Sequence, residues 1–304
     1  MTEYKGTKGG AVQNFEEDPG NPYVGQVWYN ETTANLRVRA TTLTSAWASG
    51  GDLNTARKRI AGAGADNTAA LGFSGATNDS GNTESTLTES YNGSSWTEVN
   101  DLNTARNSSA GVGATYTAAL CFGGGNPYNT NIANTESWNG TSWTEVNDLN
   151  VAKRNMGPIG TSTSALAAAG GPPATASNES WNGTSWTEVA DLNTARGQLA
   201  AAGADNTSGI AFGGTDVPNT CEAWNGTAWA QVNVLNTQRD NFTGTGTQPA
   251  ALALGGRTTP GAVTAVTESW NGLSWTEVND LNVARSQKNG TKILHMVSGL
   301  LVEI

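Results

Sequence analysis

The sequence predicts an all-β fold, a β-propeller of six four-stranded antiparallel blades, and three observations carry that prediction. The first is a β-hairpin, Trp138-Asn139-Gly140-Thr141-Ser142-Trp143-Thr144-Glu145-Val146, whose close copies begin at Tyr91, Trp181, Trp224 and Trp270. The second is a tag, Asp-Leu-Asn-x-Ala-Arg, that opens at Asp52, Asp101, Asp148, Asp191, Val234 and Asp280, with Lys153 and Gln238 among its substitutions. The third is spacing. From each of the first five tags to the glycine closing the next Gly-Gly step (Gly75, Gly124, Gly171, Gly214, Gly256) is 23, 23, 23, 23 and 22 residues. From each hairpin glutamate (Glu89, Glu136, Glu179, Glu222, Glu268) to the next tag is 12. Only the interval from Gly to Glu varies, at 14, 12, 8, 8 and 12, so one loop per repeat absorbs almost all the length change. A unit this short cannot bury its indoles alone and must stack on its copies.

Within each repeat four short strands are expected. In the second repeat they cover Asn107 to Gly113, Ala118 to Phe122, Thr135 to Trp138 and Ser142 to Val146. The Asn-Gly pair predicts a two-residue type I′ turn, which makes Trp138 and Trp143 diagonal neighbours on one face. Small residues fill the first two strands, as suits strands crowded near an axis, and tryptophan fills the wider gap between blades. Four strands in a repeat of this length are the pattern of a propeller blade.

Residues 1–22 are polar and form an amino-terminal arm expected to attach to a neighbouring protein, with the propeller spanning 23–304. Gly25 to Asn30 alternates like a strand, and Leu36 to Arg39 returns after a turn. Trp47 stands five residues before Asp52, as Trp143 stands five before Asp148. After the last tag, Lys292 to Val297 and Leu300 to Ile304 supply two strands, and the chain stops where the next Gly-Gly step would fall. The outer strands then missing are those offered around Leu36–Arg39 and Ala46–Ala48, so strands from both ends would close the last blade and remove free edges.

Composition narrows the function classes. Net charge is −10 and pI about 4.6, which disfavours nucleic acid, since phosphate binding needs clustered Lys and Arg. No apolar run approaches a membrane span, and Met1 to Gly10 lacks the apolar core of a secretory signal. Cys121 and Cys221, each in a strand-like context, read as two free buried thiols of a chain that folds in a reducing cytoplasm. His295 is the one histidine, and no His/Cys/carboxylate spacing suits a metal, so no metal, cofactor or enzymatic activity is expected. Glu136 and Glu145 recur in most repeats, and recurrence marks a structural part because an active site is normally unique.

The Gly-Gly step, the spaced aromatics and the basic residue opening each unit resemble kelch repeats over roughly residues 50–300. Gly25-Gln26-Val27-Trp28-Tyr29-Asn30 followed by the Trp-Asn-Gly-Thr-Ser-Trp hairpins is similar to tail-fibre and other virion proteins of marine bacteriophages. The resemblance implies a virion structural or host-attachment protein, assembled in the host cytoplasm without a signal peptide. Its partners would be other virion proteins and a host-surface glycan or protein. It would be a trimer if it is a tail fibre, while a capsid-decorating protein and a non-viral interaction scaffold stay open as alternatives, with a glycan-active enzyme a less favoured third.

Two sets of residues are candidate sites. Arg57, Arg106, Lys153, Arg196, Arg239 and Arg285 occupy equivalent positions, placed near one mouth of the axial channel. They would form either an anion or glycan-acid site, or internal pairs with a nearby Asp or a crossover carbonyl, and the presence of an Asp in five of six tags favours pairing. The variable loops hold the second set: Asn78, Asp79, Asn126, Tyr128, Asn129, Asp216 and Arg257. Their polar side chains suit sugars or protein, and neutral drift of surface loops explains them equally well. The regularly spaced tryptophans read as packing between blades, and the Asn-Gly-Thr/Ser triplets as turn residues.

Overall fold

A computed structural model describes residues 4–5, 11–17, 27–38, 47–77, 83–126, 130–258, 261–286, 294–297 and 300–303. The chain forms two compact units, 1–46 and 47–304. In the first, Ala11–Phe15 pairs with Tyr4–Lys5 antiparallel and with Val27–Asn30 parallel, and Asn35–Val38 completes the sheet against Val27–Asn30.

The second unit is all β among its described residues. Blade 1 comprises Ala61–Asp66, Ala69–Phe73, Thr88–Tyr91 and Trp96–Val99; blade 2 comprises Ala110–Thr115, Ala118–Phe122, Thr135–Trp138 and Trp143–Val146. Blade 3 is Gly157–Gly160, Ala165–Gly170, Thr175–Trp181 and Trp186–Val189, and blade 4 is Ala200–Asp205, Ser208–Phe212, Cys221–Trp224 and Trp229–Val232. Blade 5 is Thr243–Thr247, Ala250–Leu254, Thr267–Trp270 and Trp275–Val278. In every blade the four strands are antiparallel and lie in sequence order.

The structure thus has five four-stranded blades where the tag count predicts six. After blade 5 comes a three-stranded sheet: Leu294–Val297 pairs with Leu300–Glu303, which pairs parallel with Ala48–Ser49. Leu294–Val297 lies against the inner strands of both blade 5 and blade 1. Of the outer strands expected from the early chain, only the segment after Trp47 arrives. Asn35–Val38 stays in the amino-terminal sheet because a four-residue turn, fixed by Thr33 N–H donating to Asn30 Oδ1 at 2.9 Å, pairs it locally at little loop-closure cost. Trp47 nevertheless keeps a repeat contact. Asn282 Nδ2 donates to Trp47 O at 3.1 Å, as Asn103 Nδ2 does to Trp143 O at 3.2 Å.

The hairpin turn departs from the sequence reading. Residues 139–142 form a four-residue loop, not a two-residue type I′ turn, and only Gly140 has positive φ, at 92°. The Asn139 side chain stabilises the loop: its Oδ1 accepts from Thr141 N and Ser142 N, both at 2.9 Å. The longer loop moves the register, so Trp138 and Trp143 are direct partners rather than diagonal ones, with ring centroids 5.4 Å apart.

Burial explains the strand chemistry. The cluster between blades 2 and 3 joins Leu120 and Phe122 of one blade to Trp181 and Trp186 of the next, with Leu149 of the intervening tag inserted. The other interfaces between complete blades repeat this pattern. The second tryptophan also reaches backwards: Trp143 Nε1 donates to Thr88 Oγ1 at 3.0 Å, and Trp186 Nε1 to Thr135 Oγ1 at 3.1 Å. In blade 5 the equivalent indole, Trp275, meets Cys221 instead, and its N–H has no aligned acceptor. Cys221→Thr is therefore expected to raise stability by about 1 kcal/mol, measured by urea unfolding, by giving a buried donor its partner. No gain would mean that the sulfur already serves.

Both cysteines are free and fully buried. Burial pushes the Cys121 thiol up and the Cys221 thiol up to about 12. Neither should react with iodoacetamide in the native protein at pH 8, and both should react once it is denatured.

Candidate functional site at the channel mouth

The tag works as a rivet between adjacent blades. Its leucine is buried between them (Leu102, Leu149, Leu192, Leu235 and Leu281 are each at most 4% exposed). Its aspartate reaches back to the blade it leaves, with Thr88 N–H donating to Asp101 Oδ1 and Thr135 N–H to Asp148 Oδ1, both at 3.0 Å. Its asparagine and basic residue reach forward to the blade it enters. Glu136 accepts from Asn103 N at 2.7 Å, Asn103 Nδ2 at 2.9 Å, Thr104 N at 3.2 Å and the Arg106 guanidinium.

This settles where five of the predicted ring cations sit. Arg57, Arg106, Lys153, Arg196 and Arg239 are inside the protein, each at most 3% exposed. They face Glu89, Glu136, Glu179, Glu222 and Glu268, at 2.8 Å for Arg57, 3.4 Å for Lys153, 3.1 Å for Arg196 and 2.8 Å for Arg239. Burial holds Arg57, Lys153, Arg196 and Arg239 below their usual range, and the partner glutamate opposes that shift. They line neither axial cavity, so the mouth placement is corrected. The pairing reading holds for the carbonyls, since Arg57 donates to Ser74 O at 2.9 Å and Arg239 to Gly255 O at 3.1 Å, but the carboxylate partner is the third-strand glutamate and not the tag aspartate, which is already held by the preceding blade. In blade 4 the pair is off-line, and Glu222 Oε1 accepts no aligned hydrogen bond. Arg285 holds the same place in the last tag, half-buried, and its carbonyl accepts from Gly256 N–H.

Immediately after these cations the backbone turns toward the axis. Arg59, Ser108, Asn155, Gln198 and Asn241, each two residues beyond the tag cation, have positive φ, between 52° and 56°. Such a conformation is costly for side chains with a Cβ, so something must hold it. A ladder between blades does: Ser108 N–H donates to Arg59 O, Asn155 to Ser108, Gln198 to Asn155 and Asn241 to Gln198, each at 3.0 Å. The Gly-Gly step adds a second ladder, in which Gly124 N–H donates to Lys153 O and Gly214 N–H to Arg239 O. Gly124 has φ of 119°, and a Cβ there would lie 2.9 Å from Asn107 O, so glycine is required.

Inside this ring lies a cavity of about 130 Å³ whose wall includes Arg59, Ser108, Asn155 and Thr243. It continues past Gly62, Gly111, Pro158, Ala201 and Gly244 into an axial cavity of about 280 Å³ walled by small residues. The mouth breaks the repeat symmetry. Arg59 lines it where the equivalent residues are Ser108, Asn155, Gln198 and Asn241, and the position before it carries Lys58 and Arg154 where the other blades have Asn107, Gly197 and Asp240. Glu84 is a carboxylate whose charge acts on Arg154. Its Oε1 accepts from Asn107 Nδ2 at 2.8 Å, while Oε2 is buried without a hydrogen bond. Burial lowers Arg154, the Arg59 charge lowers it further, and Glu84 opposes both.

The loop candidates divide. Asn78, Asp79, Tyr128 and Asn129 lie outside the described residues. Asn126 closes its own loop, exchanging backbone and side-chain hydrogen bonds with Thr130 at 3.0 and 3.1 Å. Arg257 is bound through both nitrogens to Asp240, at 3.0 and 3.1 Å, so it braces the loop. Asp216 is exposed, with φ of 70°. Sequence reading missed the positive-φ ring, although its signal was present: the position two after each tag cation is polar in every repeat yet never the same residue three times.

Among the described residues no group of three or more His, Cys, Asp or Glu is placed to hold a metal ion. Neither the protein-family models nor the curated proteins contain a match to this chain.

Proposed function

We propose that this chain is a bacteriophage virion structural protein, a tail-fibre, spike or receptor-binding unit, presenting its propeller for contact with a host surface or another virion protein. One observation carries the binding half of the reading. Residues that recur in every complete repeat are consumed in joining blade to blade, whereas residues that differ between repeats gather at the mouth and in the loops between second and third strands. A rigid frame with variation confined to one region is how scaffolds carry recognition. The virion half rests on the resemblance of Gly25–Asn30 and the repeated hairpins to marine phage virion proteins. In this reading residues 1–46 attach to the particle, and the three-stranded sheet is an incomplete sixth blade that closes the ring.

Immuno-electron microscopy of purified particles with an antibody to this chain tests the proposal. Decoration of the particle is expected. Absence from particles, with a cytoplasmic host protein captured instead, would replace it with an interaction scaffold.

A further inference from the structure

We infer, on the reading above that the three-stranded sheet is an incomplete sixth blade, that this sheet is a strand acceptor. It takes an extended, glutamate-bearing segment of another protein as its third strand; the particle assignment plays no part.

Leu294–Val297 holds the first-strand place, since it lies against the inner strands of blades 5 and 1. Leu300–Glu303 pairs with it antiparallel, as second strands do. Ala48–Ser49 holds the fourth-strand place, because Trp47 before it is anchored as Trp96 is. Asn282 Nδ2 donates to Trp47 O at 3.1 Å, and Asn54 Nδ2 to Trp96 O at 2.9 Å. Trp47 Nε1 donates to Asn279 O at 2.8 Å and Trp96 Nε1 to Gly51 O at 3.0 Å, each acceptor being the residue before a tag. In an antiparallel meander the second and fourth strands run parallel, with the third between them. Here they pair with each other directly, in parallel, through two residues a side. Among the described residues, the third strand is therefore the one this blade lacks.

The complete blades define the occupant. Their third strands end in Thr-Glu-Ser-Tyr, Thr-Glu-Ser-Trp, Asn-Glu-Ser-Trp, Cys-Glu-Ala-Trp and Thr-Glu-Ser-Trp. The glutamate faces the tag cation and accepts from the tag asparagine N–H at 2.6–2.8 Å in all five. In the last tag Arg285 is half-buried, where the other five cations are at most 3% exposed, and Asn282 N–H donates to no carboxylate among the described residues. The aromatic packs on the fourth-strand tryptophan. Trp96, Trp143, Trp186, Trp229 and Trp275 are buried, whereas Trp47 is half-buried. The chain's own sequence places no glutamate in this register: each third-strand glutamate stands 12 residues before a tag, and 12 before Asp52 is Ala40. The third strands in the complete blades of a second copy are already paired on both sides. Another protein supplies the strand, by β-strand addition in which main-chain hydrogen bonds give affinity and side chains give specificity. Two parallel pairs open, and antiparallel ladders like the four-pair ladders of blade 2 form on either side.

The test titrates the full-length chain into a dye-labelled peptide copying residues 134–140, Asn-Thr-Glu-Ser-Trp-Asn-Gly, followed by fluorescence anisotropy. The peptide should bind, and its Glu-to-Gln version should bind about tenfold more weakly. Arg285→Gln should weaken the parent peptide about tenfold and leave the glutamine peptide nearly unchanged, a coupling that general misfolding would not produce. Hydrogen exchange should slow on binding at Leu300–Glu303 and Ala48–Ser49. No binding, equal binding of the two peptides, or protection confined to a complete blade would overturn the acceptor. Exchange in the free chain separates this failure from that of the blade itself. Slow exchange at Leu294–Val297 without peptide binding would sink the acceptor and spare the closed ring; fast exchange there without binding would remove both.

Discussion

Glu136→Ala is expected to destabilise the protein by about 3–5 kcal/mol, the cost of leaving a buried cation without its partner. Glu136 is 1% exposed and Arg106 is fully buried, so water cannot replace the lost carboxylate. The same change also strips acceptors from Asn103 N, Asn103 Nδ2 and Thr104 N, which hold the loop entering blade 2. Arg106→Met should cost less. It leaves Glu136 charged, but three donors from the tag still solvate that charge, and the methionine fills part of the space. Urea unfolding checks the order: Glu136→Ala should shift the midpoint furthest, with the slope unchanged. Equal midpoints for the two variants would show that the ion pair, and not the tag's amide donors, dominates the rivet. No shift for Glu136→Ala would show that the junction carries little of the stability.

Much of this architecture was legible because each repeat is an independent copy of one solution. Ala118–Phe122 and Thr135–Trp138 lie where the pattern puts them. The first strand begins at Ala110 rather than Asn107, since residues 107 and 108 are taken by a bridge to Gly125 and by the positive-φ ladder. Neither constraint alters the polarity pattern from which strands are read. The buried glutamates were hidden for a similar reason. A charged residue in a strand reads as solvent-facing, and Glu136 stands 30 residues from Arg106. The legible clue was that a cation and a glutamate persist together in every complete repeat. The blade count failed where the repeats stop. The final tag predicts a sixth four-stranded blade, but the early segment that could have filled it pairs locally in residues 27–38. Of the candidate site, the loops were visible as length variation, and the mouth was not, because its residues vary in kind at constant spacing.

Trp181→Ala should cost about 3–5 kcal/mol, the range for deleting a large buried aromatic from a core that cannot collapse onto the space. Trp181 is 2% exposed, stacks with Trp186 at 5.3 Å between ring centroids, and donates from Nε1 to Ser162 O at 3.1 Å. Its neighbours across the interface are strands of blade 2, fixed by their own ladders, so little can move inward. The repeat supplies a control. Blade 1 carries Tyr91 at the equivalent position, packed on Trp96 at 5.0 Å, so Trp181→Tyr should keep the fold and cost far less than alanine. Because both faces of blade 3 are packed against neighbouring blades, the damage should appear as one cooperative transition at lower urea rather than as a separate early phase. A separate early transition, read by tryptophan fluorescence, would mean that blades melt one by one. The ladders between them would then be weaker than the packing within each blade.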